Sequence, residues 1–93
     1  MAYLRVQIED NLHRDYDLMQ GHTTIGRHLK SDIVIASPSV SNKHARLNVE
    51  QACFVTDLRS SNGTFLNGEK VLHARLKGGD IINFAGISAT FFE

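Results

Sequence analysis

A single cysteine, a net charge of zero and no long apolar run remove several classes of function before any motif is read. With Cys53 alone, no internal disulfide can form, and a reducing, cytoplasmic setting is the simplest compartment. Zero net charge leaves no basic surface for generic nucleic-acid binding. The apolar runs are a few residues each, far below the roughly 18 that suggest a membrane helix. The stretch Met1-Ala2-Tyr3-Leu4-Arg5 has no apolar signal-peptide region. Neither nucleic acid nor membrane is therefore expected as a partner. His13, His22, His28, His44 and His73 are scattered, without acidic or cysteine partners at ligand spacing, so no metal and no cofactor is expected. No window carries a helical period, and no linker, repeat or low-complexity stretch interrupts the chain.

The apolar fraction, 42%, is ordinary for a folded protein. Ninety-three residues make one domain with a modest core. Tyr3 to Glu9 alternates, with Leu4, Val6 and Ile8 on one face and Arg5, Gln7 and Glu9 on the other, which predicts a half-buried strand. Tyr16 and Leu18 suggest a short second strand, and Thr23-Thr24-Ile25, closed by Gly26, a third. Further strands are expected at Ile33–Ile35, Ala45–Val49, Cys53–Leu58, Thr64–Leu66, Val71-Leu72, Ile81–Phe84 and Ala89–Phe92. Turn formers separate them: Lys30-Ser31-Asp32, Ser37-Pro38-Ser39, Asn62-Gly63, Asn67-Gly68, Gly78-Gly79-Asp80 and Ala85-Gly86. Asn-Gly is a strong hairpin signal because both residues tolerate positive φ. Short strands with frequent turns predict an all-β sandwich. The pattern runs from Tyr3 to Phe92, so residues 1–93 form one domain. Cys53 lies in the apolar run Ala52-Cys53-Phe54-Val55 with no activating base beside it, the setting of a buried structural thiol rather than a nucleophile.

Three short signals stand where strands give way to turns: Gly26-Arg27, Ser41-Asn42-Lys43-His44 and Ser61-Asn62-Gly63-Thr64. Together they supply a guanidinium, hydroxyls, side-chain amides and an ammonium, a donor set for a phosphate ester. A guanidinium presents a planar fork to two phosphate oxygens and stays charged. No general base, metal ligand set or activated nucleophile accompanies them. Ser41 and His44 form a Ser-x-x-His pair, but no orienting carboxylate or oxyanion-hole motif is evident. The chain is expected to hold a phosphate rather than transfer it, and not to be an enzyme.

Thr24-Ile25-Gly26-Arg27, Ser31-Asp32-Ile33-Val34-Ile35, Pro38 to Ala45 and Asp57 to Gly68, followed by Leu76-Lys77-Gly78-Gly79-Asp80-Ile81-Ile82, resemble the forkhead-associated (FHA) domain in order and spacing. The resemblance implies an eleven-stranded, antiparallel-rich β-sandwich whose loops at one end bind phosphothreonine peptides. It implies that Arg27 and Ser41 bind the phosphate, with Asn42 and Lys43 in the same loop. Lys43 faces either the phosphate or solvent. Ser61 and Asn62 match the pair that reads the ligand, although Asn62 is also placed to open a hairpin turn. His44 matches a histidine that braces the loop, Gly26 is expected to turn the chain so that Arg27 projects, and Gly63 to take a positive φ. Asn67-Gly68 is expected to have a turn role only, and Asp32 and Asp57 to cap turns or pair with cations. The implied function is phosphothreonine-dependent recognition of a protein or peptide downstream of a Ser/Thr kinase. Preference for flanking residues would lie in Ser37–Val40, Arg59–Ser60 and Ala85–Ile87. The alternative is a phosphate-independent scaffold or assembly domain, which would have no use for Arg27, Ser41 and Asn62.

Overall fold

A computed structural model of the chain describes residues 2–93. Among them there is no helix, and eleven strands follow in order: β1 (Tyr3–Glu9), β2 (Leu12–Asp17), β3 (Gly21–Gly26), β4 (Ile33–Val34), β5 (Ala45–Val49), β6 (Cys53–Asp57), β7 (Thr64–Leu66), β8 (Glu69–Lys70), β9 (His73–Leu76), β10 (Ile81–Phe84) and β11 (Ile87–Phe92). They build a six-stranded sheet, β2-β1-β11-β10-β7-β8, and a five-stranded sheet, β4-β3-β5-β6-β9. Every pairing is antiparallel except β3 with β4. No helix is long and apolar enough to cross a membrane.

Alternation along the strands gives each sheet one apolar face, and the two faces close on each other. From the six-stranded sheet come Leu4, Val6, Ile82, Phe84, Ala89 and Phe91. Ile25, Ile33, Ala45, Leu47, Val55 and Leu76 come from the other. Cys53 is buried there too, and burial pushes its thiol up to about 11, so it stays protonated and inert at neutral pH. Ile8 departs from the expected core face. It is 47% exposed: β1 pairs with β11 only from Tyr3 to Val6, and a register shift between Gln7 and Glu9 takes Ile8 out of the β1–β2 ladder.

Three elements differ from the sequence expectation. β2 starts at Leu12 rather than near Tyr16, because β1 holds it by register from Tyr3↔Asp17 to Glu9↔Leu12 although most of its side chains are exposed. Leu18 is buried but lies just outside the strand. Val71-Leu72 is not a strand; β8 (Glu69–Lys70) and β9 (His73–Leu76) on either side are. Both are edge strands, β8 held by backbone pairing with β7 and β9 also by the buried Leu76.

Asn67-Gly68 forms the two-residue turn between β7 and β8, with φ of 49° and 90° and Leu66 opposite Glu69. Its role extends beyond the turn. Asn67 Nδ2 donates to Asp80 Oδ1 at 3.0 Å, and Asn67 Oδ1 accepts from the Ile81 N–H at 2.9 Å. The side chain thus fastens the start of β10. Asn67→Gly preserves the turn and deletes only these bonds. It should lower stability by about 1–3 kcal/mol, read by urea unfolding. Wild-type stability for Asn67→Gly would reduce Asn67 to its turn.

Candidate functional site

The loops after β3, between β4 and β5, and between β6 and β7 meet at one end of the sandwich. Past the β3–β5 ladder, the chain around Asn42 continues alongside Arg27. The His44 N–H donates to Ile25 O at 3.0 Å, the Arg27 N–H to Ser41 O at 3.0 Å and the His28 N–H to Asn42 O at 3.4 Å. This apposition explains Gly26. Its φ is not positive, contrary to the expected turn. A Cβ there would lie 2.0 Å from Asn42 O and 2.8 Å from Asn42 C, so only glycine lets the two backbones approach.

Arg27 is exposed, and its Nε donates to Val40 O at 3.0 Å. That bond fixes the base of the guanidinium and leaves the two Nη groups free. Among the described residues the only ion pair is Arg5–Asp15, so no carboxylate neutralises Arg27 or Lys43. Ser41 Oγ accepts the Ser61 N–H at 3.0 Å, which leaves its own O–H available as a donor. Asn62 Nδ2 donates to Ser39 O at 2.8 Å, leaving its Oδ1 and second N–H. Asn42, Lys43, Ser61 and Asn62 are exposed on the same loops.

His44 is fully buried beneath them. Its Nδ1 accepts the Ser41 N–H at 3.2 Å, so the ring proton is on Nε2, which donates to Gly63 O at 2.8 Å. The ring stands edge-on to Phe84, centroids 5.9 Å apart. Gly63 O also accepts the Ala85 N–H at 3.3 Å, joining the β10–β11 turn to the same post. Both ring nitrogens are committed, so His44 is not a base for Ser41 and the Ser-x-x-His pair is structural. Gly63 has the expected positive φ, 89°, but Asn62-Gly63 is not a hairpin. β6 and β7 belong to opposite sheets, and the segment carries the chain across.

Asp57 braces this crossing as the turn cap expected of it, together with hydroxyl partners that the sequence reading did not name. Asp57 Oδ2 accepts the Ser60 N–H at 3.1 Å, and its Oδ1 accepts the hydroxyls of Ser60 and Thr64 at 2.5 and 2.7 Å. Ser60 Oγ in turn accepts the Gly63 N–H at 3.0 Å. The Ser60 N–H bonds back to a carboxylate three residues earlier, as at a helix N-cap, and the Asp-x-x-Ser spacing was the available signal. Arg59 within it has a φ of 59°, with no sequence cue. Asp32 instead ties the chain after β3 back to that strand, accepting the Thr24 N–H and hydroxyl, and pairs with no cation. Also missed were Ser39 and Val40, whose contribution is their carbonyls.

Chemically the surface is a cluster of outward donors with one free guanidinium fork and no nucleophile–base pair. A family model of the FHA domain matches residues 23–85. The chain belongs to the FHA domain family. The glycogen accumulation regulator GarA of Mycobacterium tuberculosis is 36% identical over 91 residues, covering 97% of this chain and 56% of the relative. The oxoglutarate dehydrogenase inhibitor of Corynebacterium efficiens is 35% identical over 91 residues, covering 97% and 64%. The chain thus spans little more than half the length of these relatives. Among solved structures, the FhaA FHA domain complexed with the intracellular domain of Rv3910 superposes with a TM-score of 0.91 at 27% identity, covering 98% of this chain and 99% of that one. Mycobacterium tuberculosis EmbR in complex with a low-affinity phosphopeptide gives 0.89 at 34% identity, covering 98% and 24%.

Two expectations concern how this FHA domain holds its loops. His44→Ala should cost about 1–3 kcal/mol of stability, because it orphans the Ser41 N–H and leaves the Gly63 carbonyl with only its longer bond from the Ala85 N–H. A variant that melts like wild type yet loses ligand would instead make His44 a contact residue. For Asp57, burial pushes the carboxyl up, but the hydrogen bonds from Ser60 and Thr64 outweigh it and hold it below its ordinary value. Its contribution is therefore complete above the unfolded value of about 4 and is lost as pH falls through the lower folded value. Urea unfolding from pH 7 to pH 2.5 should show the gap between wild type and Asp57→Asn narrowing below about pH 4. A gap constant across that range would mean that the Asp57 charge contributes nothing.

Proposed function

We propose that this chain is a phosphothreonine-dependent recognition module that recruits a phosphorylated protein or peptide and performs no catalysis of its own. The observation that carries the reading is the Arg27 fork, held at Nε by Val40 O, unpaired by any carboxylate, beside a Ser41 hydroxyl that accepts the Ser61 N–H and keeps its own O–H available as a donor. A phosphate ester offers three oxygens and nearly two charges, which suits a guanidinium, a hydroxyl and loop N–H groups together. Arg27 and Ser41 engage the phosphate, supported by Asn42, Lys43 and Ser61. Asn62, with one amide N–H spent on Ser39 O, meets the peptide backbone with its Oδ1 and second N–H. Gly26, His44 and Gly63 hold the loops. Residues 1–93 act as one module, since β1 and β2, outside the matched segment, supply two strands of one sheet. The phosphopeptide complex of EmbR and the regulatory names of GarA and the oxoglutarate dehydrogenase inhibitor agree with such a role downstream of a Ser/Thr kinase.

One peptide sequence, made with phosphothreonine, phosphoserine, aspartate or threonine, should be titrated by calorimetry against wild type and Arg27→Ala. Phosphothreonine should bind tightest. Phosphoserine should be weaker by roughly fourfold or more for the lost methyl contact, worth about 0.8 kcal/mol. Aspartate and threonine should bind poorly. Arg27→Ala should lose about tenfold or more for a charge-assisted bond worth about 1.5–3 kcal/mol. Equal affinity for all four peptides would overturn the reading in favour of a phosphate-independent scaffold.

A further inference from the structure

Away from the loops, the outer faces of the two sheets differ in charge. On the five-stranded sheet Ala45, Leu47, Val55 and Leu76 point into the core, so the alternate residues of β5, β6 and β9 point to solvent. These are Arg46 and Asn48, Phe54 and Thr56, and His73 and Arg75. They form two cross-strand rows, Arg46↔Thr56↔His73 nearer the loop end and Asn48↔Phe54↔Arg75 behind it. None is acidic. Asp32, at the margin, spends its carboxylate on the Thr24 N–H and hydroxyl, and Glu50, in the β5–β6 turn, forms no ion pair. The only ion pair among the described residues, Arg5–Asp15, lies on the outer face of the other sheet. Arg46 and Arg75 are therefore uncompensated in a chain with 10 acidic and 10 basic side chains. Arg46 Nε and Asn48 Oδ1 are shielded from solvent yet have no hydrogen-bond partner. The half-buried Phe54 ring has His73 stacked on it, centroids 5.3 Å apart, and a 2.8 Å hydrogen bond ties His73 Nδ1 to Thr56 Oγ1.

We propose that the outer face of β5, β6 and β9 docks an acidic, unphosphorylated segment of a partner protein, separately from the phosphate loops. The inference does not rest on the phosphopeptide reading. A guanidinium matches a carboxylate with two parallel bonds, so Arg46 and Arg75 select acidic side chains. Neighbouring strands are about 4.8 Å apart and same-face residues about 6.8 Å apart along a strand, which places the two arginines about 12 Å from each other across β6. Carboxylates four residues apart on an extended segment span about 13 Å and meet both. The segment then covers Phe54, which lies between the arginines. Shielded polar atoms without partners are costly, and a carboxylate on Arg46 with a backbone N–H on Asn48 relieves both. Arginine and aromatic side chains together are the composition of a protein interface. A nucleic-acid strand brings roughly one charge per 3.4 Å, more than two guanidinium groups so far apart neutralise. His73 also occupies one face of the Phe54 ring, which limits base stacking there.

The test is an amide-resolved NMR titration of the isotope-labelled chain. The ligands are a peptide of alternating glutamate and threonine about ten residues long, the same peptide with lysine for glutamate, an oligouridylate of similar length, and vesicles of phosphatidylserine and phosphatidylcholine. The glutamate peptide should shift amides of β5, β6 and β9 around Phe54 and bind more weakly as salt is added. Arg46→Gln and Arg75→Gln should each weaken it by roughly two- to fivefold. Thermal melting confirms that the variants fold, and the exposed Arg75 carries the test if Arg46→Gln does not. A phosphothreonine peptide of otherwise neutral sequence should bind both variants as it binds wild type. Absence of shifts on these strands, shifts confined to the loops of Arg27 and Lys43, or equal binding of the lysine peptide would overturn the docking surface. Tighter binding of oligouridylate or vesicles than of the glutamate peptide would make the face a nucleic-acid or lipid surface and overturn it too. Weaker binding of the phosphothreonine peptide by either variant would merge the face with the phosphate loops, with the same result.

Discussion

A buried imidazole with both nitrogens occupied holds the loop end of this molecule together. His44 receives the Ser41 N–H on one side and gives its proton to Gly63 O on the other, so two loops from different strand pairs share one rigid post. Gly63 O accepts Ala85 as well, and Phe84 packs against the ring, so the opposite sheet is joined to the same point. Buried polar groups are expensive unless satisfied, and here each is satisfied, the Ser41 N–H within its own loop and the Gly63 carbonyl by two other loops. Displacing the Gly63 loop therefore orphans a group in each of those neighbours. That reciprocity turns three irregular segments into one surface.

The sandwich contributes the frame. Its sheets meet through Phe84, Phe91, Leu47 and Val55, all fully buried, which fixes the strand ends from which the loops depart. The crossing from β6 to β7 must change sheets within six residues, 58–63. Asp57 manages it by gathering the Ser60 backbone and the Ser60 and Thr64 hydroxyls, and Ser60 passes the restraint to Gly63. The donors that face outward are thus backed by a second layer of hydrogen bonds that never meets the ligand surface.

Much of this was legible from residue order. Strands with apolar alternation, such as β1, β5 and β10, declare themselves because one face must be buried. β8 and β9 do not, since Glu69-Lys70 carries no apolar residue and His73–Leu76 only Ala74 and the buried Leu76, too short an apolar pattern to stand out beside Val71-Leu72. Arg27, Ser41 and Asn62 were singled out by side-chain chemistry and family resemblance, and the structure brings them to one end of the sandwich. Ser39 and Val40 were not, because they contribute backbone carbonyls, which every residue possesses. Gly26 was singled out for a wrong reason: local sequence suggests a turn, whereas the constraint is a neighbour 16 positions away. Asn67 was under-read for the same cause, its partners Asp80 and Ile81 being distant in sequence.

The bond from Arg27 Nε to Val40 O has a kinetic consequence. A free arginine side chain carries about 2 kcal/mol of rotamer entropy, and much of that is surrendered here before any ligand arrives. On the role proposed for Arg27, such an arm requires little searching once an anion reaches it, and the encounter rate is then set by diffusion and charge rather than by side-chain rearrangement. Discrimination between partners is then written in how long each one stays. Residence time, rather than rate of capture, is the quantity that changes in the exposed parts of these loops would tune.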